Sequence, residues 1–398
     1  MSGKKSIFIV NYGGGHVQLT IPVIKLLKDD ERFKVNVFGL TSSRTLLDKH
    51  RIDYFAFADL VKTGDDEALA YGEELAADLP GDSPVPLEES IAYLGLSFLD
   101  LVRELGEKEA RRRYDYMGRR AFTPRTALER AFALVKPDVV VATNSPRAER
   151  TSMLLAKEKS IPSVCIVDLF GVREMPWVGA KNYSSKVCVL SEHVKKLMLA
   201  AGRSDEEIIV SGNPAFDRLA DPALKAAAEK KRSERGWTNK KVVLFASQIT
   251  PKAPTLPREI SEHLFSLSQK QDDLHVVIRP HPNEELNFDN IPPTATISGK
   301  EDPLPELLHS VDLVMTMTST VGFEAVLIGK PLIALEMGIQ SQFAPYSEME
   351  LAIGVNNLAD LEQAIFKATE STLVDPSTLP ELGRAAESVA EVIKQAAG

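Results

Sequence analysis

Cysteine is almost missing from this chain. The 398 residues include only Cys165 and Cys188, and both lie in apolar, strand-like segments. The pair has no metal-ligand spacing, and it indicates buried thiols of a cytoplasmic protein rather than a disulfide. The His and Cys spacings of zinc sites and the Gly-x-Ser-x-Gly nucleophile elbow are absent as well. The sequence therefore predicts no dedicated metal site.

Long apolar runs and an excess of positive charge are also missing. Lys4 and Lys5 are followed by only four strongly apolar residues, which is too short for a signal peptide. No run approaches the roughly 20 apolar residues that span a bilayer. The net charge of −9 argues against a broad nucleic-acid surface. We expect a cytoplasmic protein that does not bind nucleic acid and that holds anionic ligands with local donors.

Short apolar segments alternate with amphipathic helical segments along the whole chain. This alternation predicts parallel sheets covered by helices on both faces. We therefore expect an α/β protein with two doubly wound, Rossmann-like domains facing a cleft, and ligands beyond the carboxyl ends of the strands. The candidate strands are 6–10, 34–39, 138–142, 162–167, 186–190, 208–210, 241–246, 274–279, 312–317 and 331–335.

The domain boundaries follow from breaks in this pattern. Ser211-Gly212-Asn213-Pro214 ends a strand, and a charged helical segment follows it. We expect a first domain over 1–211, a second over 212–375, and a C-terminal helix within 376–398. The apolar spacing of that helix gives it a face that must be buried, and we expect it to pack back on the first domain.

The segment from about 60 to 125 departs from the alternation. It begins acidic, passes through a proline-rich loop, and ends in a basic helix-like run that contains Arg111, Arg112, Arg113, Arg119 and Arg120. Glutamates that precede these arginines allow helical ion pairs. The pattern predicts an inserted helical pair with a solvated charged face in the first domain. A patch that binds the acceptor or touches a membrane surface is the alternative.

The segment 312–335 is the most informative part of the sequence. An apolar strand is followed by Thr318, Ser319 and Thr320, and then by a short helix that Gly329 ends. A polar turn before a helix offers free backbone N–H groups at the positive end of the helix dipole, which suits a phosphate. Glu324, one turn into the helix, could bind a ribose. An ordinary strand–helix unit with a Ser/Thr cap is the alternative.

A second candidate site follows the first strand. Gly13, Gly14 and Gly15 permit close approach of a ligand to the backbone, and His16 starts the helix after them. Asn144 and Asp168 follow two other strands of the same predicted sheet. Asp168 could support His16 as a carboxylate supports a general base. The alternatives are a structural histidine and a helix-capping or turn role for Asp168.

Two further turns of the second half carry polar residues. Arg279 and His281 stand in an Arg-Pro-His-Pro turn after a strand, where arginine could bind a phosphate bidentately. The alternative is a proline-stiffened turn with a solvent-facing histidine. Ser247 and Gln248 close the first strand of the second domain, the commonest phosphate position of a doubly wound fold, although this turn lacks glycine.

Together these motifs resemble two-Rossmann-domain (GT-B) glycosyltransferases. Gly13-Gly14-Gly15-His16 is similar to their glycine-rich loop that ends in histidine, and Ser211–Pro214 is similar to the hinge that leads into their second domain. Segments 279–282, 318–324 and 329–331 resemble the donor half of capsule and teichoic-acid-type transferases. They are also similar to the non-hydrolysing UDP-N-acetylglucosamine 2-epimerases.

The resemblance implies roles for these residues. The second domain would hold a nucleotide-sugar donor and the first domain a small-molecule, glycan or lipid-linked acceptor, with no metal and no cofactor beyond the donor. His16 would be the general base, Glu324 the ribose ligand, and Arg279 with His281 the diphosphate contacts. Segments 143–145 and 168–171 differ from the acidic motifs of the epimerases. A metal-independent glycosyl or polyol-phosphate transferase is therefore expected. A nucleotide-sugar epimerase or hydrolase and a non-catalytic nucleotide-sugar-binding protein are the alternatives.

Overall fold

The computed structural model describes residues 3–80, 83–250, 252–338, 340–370 and 374–398. The chain divides into two compact units. Unit 1 comprises Met1–Ala215 together with Arg384–Gly398, and unit 2 comprises Phe216–Gly383. Each unit contains one parallel β-sheet and is described by itself below.

The sheet of unit 1 has six strands in the order β2-β1-β3-β4-β5-β6. Its strand pairs are parallel throughout the described residues. Strand β3 reads Val-Val-Val-Ala-Thr and is buried along its full length, because helices cover both faces of such a sheet. The strands are β1 (Lys5–Asn11), β2 (Phe33–Gly39), β3 (Val139–Thr143), β4 (Ser163–Ile166), β5 (Lys186–Val189) and β6 (Ile208–Val210).

Helices connect these strands, as the alternation predicts. They are α1 (Gly15–Lys28), α2 (Ser43–Lys49), α3 (Asp66–Ala76), α4 (Leu87–Leu105), α5 (Glu107–Met117), α6 (Arg125–Val135), α7 (Ala148–Glu158), α8 (Met175–Val178) and α9 (Glu192–Ala200).

The insertion between β2 and β3 differs in detail from the predicted helical pair. Between residues 60 and 125 the described part contains three helices, α3, α4 and α5, instead of a pair. The third arises because Gly106, at a φ of 76°, separates α4 from α5. Helices α3 and α4 approach closely at Gly72, where a Cβ atom would lie 2.1 Å from the carbonyl oxygen of Ile91. The expected charged face is present on α5, where Arg111 forms an i,i+4 ion pair with Glu107.

The sheet of unit 2 has the strand order β12-β11-β10-β7-β8-β9. Its strands are β7 (Lys241–Ala246), β8 (Leu274–Arg279), β9 (Ala295–Ile297), β10 (Leu313–Thr316), β11 (Leu332–Leu335) and β12 (Ile353–Val355). Helices α10 (Ala223–Glu234), α11 (Leu256–Ser268), α12 (Leu304–Ser310), α13 (Thr320–Leu327) and α14 (Leu361–Glu370) complete the unit. The edge strands β9 and β12 are the two that the sequence pattern missed.

The last helix, α15 (Ala385–Ala397), lies in unit 1. Its apolar face, with Val389 and Ile393, is buried in the core that also contains α1 residues such as Leu19 and Ile24. The helix begins after Arg384, inside the predicted segment 376–398. Within the described residues, no helix is both long and apolar enough to cross a bilayer.

The prediction that both cysteines are buried thiols outside a disulfide is confirmed. Cys165 on β4 and Cys188 on β5 are free thiols in the core of unit 1. Burial raises the pKa of each thiol to about 12, so neither is a reactive thiolate near neutral pH.

Candidate functional site

Each sheet reverses its strand order beside its first strand. In unit 1, β1 lies between β2 and β3, and in unit 2, β7 lies between β10 and β8. Open α/β sheets bind ligands beyond the carboxyl ends of the strands at such a reversal. The predicted site residues that follow β1, β3, β7 and β10 therefore lie at the two edges where this fold binds ligands.

The glycine loop of unit 1 joins β1 to α1. Gly14 has a φ of 69°, which disfavours other residues. A Cβ atom on Gly13 would lie 1.9 Å from the Oγ atom of Ser42, so a larger residue here would require the Ser42 side chain to move. The second residue of α1 is His16. The loop thus gives the histidine a fixed place at the carboxyl edge of the sheet.

The His16 ring is held by a chain of two hydrogen bonds. Its Nδ1 atom lies 2.8 Å from the Oγ1 atom of Thr143, at the end of β3. The Thr143 hydroxyl donates to Oε1 of Glu149 at 2.7 Å. One hydroxyl thus connects the imidazole ring to a buried carboxylate.

Glu149 is a member of this site that the sequence analysis missed. It is the second residue of α7, and its carboxylate is completely buried. Burial raises the pKa of the Glu149 carboxyl, while His16 and the hydrogen bond from Thr143 lower it. Its Oε1 atom also accepts a hydrogen bond from the backbone N–H of Tyr12 at 3.2 Å. The signal in the sequence is an acidic residue in the first turn after a strand-end loop.

Asp168 faces the glycine loop, since a Cβ atom on Gly15 would lie 3.5 Å from its Oδ2, but the hydrogen bond of the His16 ring goes to Thr143. The role of Asp168 beside His16 stays a prediction. Burial raises the pKa of Asp168, and the charge of His16 acts in the opposite direction. The backbone N–H of Asp168 donates to Oδ1 of Asn144 at 2.9 Å, so Asn144 positions the Asp168 turn. The pKa of Glu174, another residue absent from the predicted set, is raised by burial, with His16 and Asp168 both close. The carboxyl groups of Asp168 and Glu174 thus both interact electrostatically with His16.

A polar-rimmed pocket of about 260 Å³ opens at the strand reversal of unit 2. Its apolar part includes Leu335 and Met337, and its polar part includes Gln248 and Thr318. The N–H of Thr318 donates to Gln248 Oε1 at 2.8 Å, and Gln248 Nε2 donates to Thr318 Oγ1 at 2.7 Å. Among the described residues, the lining consists of Gln248, Thr250, Lys252, Ala253, Met317, Thr318, Leu335, Met337, Gly338, Gln340 and Ser341.

Ser247 and His281 are connected through Glu284, which the sequence analysis did not select. Glu284 accepts hydrogen bonds from the Ser247 hydroxyl at 3.0 Å and from the backbone N–H of His281 at 3.0 Å. The His281 side chain is exposed, and its Nδ1 accepts from the N–H of Asn283 at 3.2 Å. The histidine thus takes the position of a solvent-facing turn residue, and its diphosphate role stays a prediction.

Arg279 is anchored inside unit 2. Its Nη1 donates to the Ser298 hydroxyl at 2.9 Å and to the carbonyl oxygens of Gly299 and Asp302 at 3.2 and 2.7 Å. Burial lowers the pKa of this guanidinium. The contacts give Arg279 a role in holding the 298–302 loop, which reduces its freedom to bind a phosphate bidentately.

The polar turn before α13 has the predicted form. Ser319 is the N-cap residue, and its side chain accepts a hydrogen bond from the N–H of Val321 at 3.3 Å. Thr320 is the first residue of this eight-residue helix. The Tyr346 hydroxyl donates to the Ser319 carbonyl oxygen at 2.6 Å and so fixes the turn from outside. The helix N-terminus can attract an anion through its dipole.

Glu324 has a protein partner. Its carboxylate is buried and accepts a hydrogen bond from Arg218 Nη2 at 2.7 Å. Burial raises the pKa of Glu324, and the Arg218 charge lowers it. Because the Arg218 side chain is 42% exposed, the pair forms a link between the buried carboxylate and solvent. The ribose role of Glu324 stays a prediction.

No group of three or more His, Cys, Asp and Glu side chains within the described ranges is arranged to hold a metal ion. The side-chain and backbone groups described at the two edges are carboxylates, an imidazole, hydroxyls, an amide and backbone N–H groups.

Comparisons with known proteins agree with this architecture. A sequence model of the family described as "Capsule polysaccharide biosynthesis protein" matches residues 259–341, which lie in unit 2. No curated protein sequence matches the chain.

Several solved structures are similar over nearly the full length. MnaA of S. aureus, in a co-structure with UDP, has a TM-score of 0.62 at 16% identity, covering 98% of this chain and 96% of its own. The UDP-GlcNAc 2-epimerase of Neisseria meningitidis, bound to UDP-GlcNAc, has a TM-score of 0.61 at 15% identity and covers 98% and 99%. The Methanocaldococcus jannaschii UDP-GlcNAc 2-epimerase, in complex with UDP-GlcNAc and UDP, has a TM-score of 0.57 at 17% identity and covers 98% and 99%. At these identities the likeness establishes the fold, and the predicted pair of Rossmann-like domains is confirmed.

Proposed function

We propose that the protein is an enzyme that transfers a sugar, or a polyol phosphate, from a nucleotide-activated donor to an acceptor hydroxyl. The observation that carries the proposal is the placement of His16, which follows the glycine loop and has its Nδ1 2.8 Å from the Thr143 hydroxyl. A nitrogen base at a strand reversal, beside buried carboxyl groups, is what general-base catalysis on a hydroxyl requires.

The reaction balances without a further reagent. The acceptor hydroxyl gives its proton to His16 Nε2, and its oxygen forms a bond to the anomeric carbon of the donor sugar. The bond from that carbon to the diphosphate oxygen breaks, and its electron pair leaves with the nucleoside diphosphate. Asp168 and Glu174 would stabilise the imidazolium that forms, since both lie close to His16. For polyol phosphate, the acceptor oxygen would give its proton to the same base and attack the phosphorus that bears the polyol. The P–O bond to the other phosphate would break, and its electron pair would leave with the nucleoside monophosphate.

Unit 2 would bind the donor. Its pocket combines apolar side chains with the Gln248–Thr318 pair, which suits the base or sugar of a nucleotide. The N-terminus of α13 at Ser319 and Thr320 would stabilise the diphosphate, so that metal would not be required. The capsule-biosynthesis match, which lies within this unit, supports a role in polysaccharide or glycoconjugate synthesis.

A nucleotide-sugar 2-epimerase or hydrolase is the second candidate. The fold likeness to structures named as UDP-GlcNAc 2-epimerases supports it. Asp168 and Glu174 also support this candidate, because inversion of a carbon centre needs proton donors and acceptors around the substrate. A non-catalytic nucleotide-sugar-binding protein is the remaining alternative, and it would bind a nucleotide without turnover.

The experiment is an incubation of the protein with UDP-GlcNAc, CDP-glycerol and other nucleotide-activated donors, with and without acceptor oligosaccharides. Products are identified by NMR and mass spectrometry. Transfer predicts nucleotide release that depends on the acceptor. Epimerised or cleaved sugar without any acceptor would favour the second candidate. Binding of donors with no product under any condition would leave the non-catalytic alternative.

A further inference from the structure

We propose that Thr143 and Glu149 are positioning residues that hold the His16 ring in one tautomer, with the proton on Nδ1 and the lone pair on Nε2. The catalytic consequence of this arrangement rests on the proposed function, because it makes Nε2 the base. The tautomer itself depends only on hydrogen bonds inside unit 1.

The proton count assigns the tautomer. Glu149 Oε1 lies 2.7 Å from the Thr143 hydroxyl and also receives the backbone N–H of Tyr12 at 3.2 Å, so this oxygen acts as an acceptor. Thr143 has thus used its one proton, and the contact of 2.8 Å to His16 Nδ1 must be an N–H donating to oxygen. The proton position in a neutral imidazole is set by the hydrogen bond that one nitrogen makes.

Glu149 is well placed to remain the acceptor. It is the second residue of α7, where the helix dipole favours negative charge. The same Oε1 atom accepts from the backbone N–H of Tyr12, the residue before the glycine loop. One carboxylate therefore holds the start of the loop directly and the ring at its end through Thr143. The two donors stand at the carboxyl ends of paired strands, Tyr12 directly after β1 and Thr143 at the end of β3.

The charged side chains near His16 do not form the hydrogen bond that Thr143 forms with its ring. Asp168 and Glu174 interact with His16 through charge. Burial raises the pKa of both carboxyls, and the charge of His16 partly offsets this rise. The Arg147 guanidinium lies 4.8 Å from the centre of the Tyr12 ring and 3.3 Å from the Tyr93 hydroxyl. Of these groups, Thr143 is the one with a hydrogen bond to the ring in the described residues.

The test uses the full-length protein labelled with ¹⁵N-histidine. Two-bond ¹H–¹⁵N spectra at about pH 8, well above the ordinary histidine pKa, report which ring nitrogen carries the proton. The His16 signal is assigned by its loss in the His16→Gln variant. The variants are Thr143→Val, which removes the hydroxyl at similar volume, and Thr143→Ser, which keeps it.

We expect the Nδ1–H form in the wild type and in Thr143→Ser, and a shift toward Nε2–H in Thr143→Val. Turnover should fall by about tenfold or more in Thr143→Val and recover in Thr143→Ser. A wild-type spectrum with the proton on Nε2 overturns the inference, even if the valine variant does not fold. An unchanged tautomer in a folded Thr143→Val protein also overturns it. A shifted tautomer with full turnover would instead contradict the proposed base role of His16.

Discussion

Gln248 and Thr318 are joined by a reciprocal pair of hydrogen bonds across the strand reversal of unit 2. The Thr318 N–H donates to Gln248 Oε1 at 2.8 Å, and the Gln248 amide donates to Thr318 Oγ1 at 2.7 Å. The two residues follow β7 and β10, which are neighbours in the sheet. Both line the 260 Å³ pocket, so the pair sets the shape of the proposed nucleotide site.

Gln248→Ala should therefore weaken nucleotide binding. It removes a pocket-lining amide and leaves the Thr318 N–H without its acceptor. We expect a loss of about 1–2 kcal/mol, or roughly 5- to 30-fold in affinity. Calorimetry on the purified variant measures it. Gln363→Ala is the matched control, because Gln363 is an exposed glutamine on α14 of the same unit. Equal affinity in the two variants would remove Gln248 from the site.

Glu324→Ala tests the ribose role. If Glu324 binds a ribose, we expect nucleotide affinity to fall by about 1–3 kcal/mol, the value of hydrogen bonds to a charged group. The Arg218 pair complicates a single variant, since losing Glu324 also leaves Arg218 without its partner. Arg218→Ala separates the effects in the same calorimetric titration. A loss of equal size in both variants would assign the change to the ion pair rather than to a ribose contact.

His16→Ala tests the base. We expect turnover to fall by about 10²- to 10⁴-fold, the range for loss of a general base. Nucleotide affinity should stay within about twofold, because the proposed donor pocket is built from unit 2 residues. His50→Ala is the control, as His50 contacts Lys25 on the surface of unit 1. Full activity of His16→Ala on the true acceptor would make the histidine structural.

His275 should make the stability of unit 2 dependent on pH. Its ring is buried against Trp237 and Thr296, and burial lowers its pKa to about 4. Between about pH 6.5 and pH 4 the unfolded chain binds a proton that the folded His275 does not, so the free energy of unfolding decreases as pH falls. Over this window we expect the wild type to lose on the order of 2–3 kcal/mol relative to His275→Gln.

Trp237 fluorescence can follow this change. The chain has two tryptophans, and Trp177→Phe leaves Trp237 as the reporter of unit 2. Urea midpoints of this background, with His275 and with His275→Gln, are compared from pH 7 to pH 4. Parallel curves for the two proteins would show that His275 is not the titrating group.

The sequence pattern located the strands that are long and apolar. β3 and β7 are continuous buried runs, and such runs are readable without tertiary information. β9 and β12 were missed because they read Ala-Thr-Ile and Ile-Gly-Val and so lack the continuous apolar run that marks the equally short edge strand β6, Ile-Ile-Val. A short segment without an apolar run becomes a strand only through its neighbour, which the sequence does not show.

The candidate site was predictable to the same degree. The glycine loop and the Ser319 cap depend on local backbone chemistry, so the glycines and the serine indicate them from the sequence alone. Glu149 depends on burial beside a strand end six positions away, so its residue type alone indicates a solvated helix start. The anchoring of Arg279 was not predictable from the sequence, because its hydrogen-bond partners in the 298–302 loop are brought to it only by the fold.

The most direct test of the account is a nucleotide screen on the unliganded protein. Thermal unfolding is measured with UDP, CDP, GDP, ADP and CMP, for the wild type and for Gln248→Ala. A nucleotide that binds the folded state stabilises it in proportion to RT ln(1 + [L]/Kd). We expect at least one nucleoside diphosphate to raise Tm in the wild type, and this increase to shrink in the variant. No increase with any of the five at millimolar concentration would contradict a nucleotide-dependent enzyme.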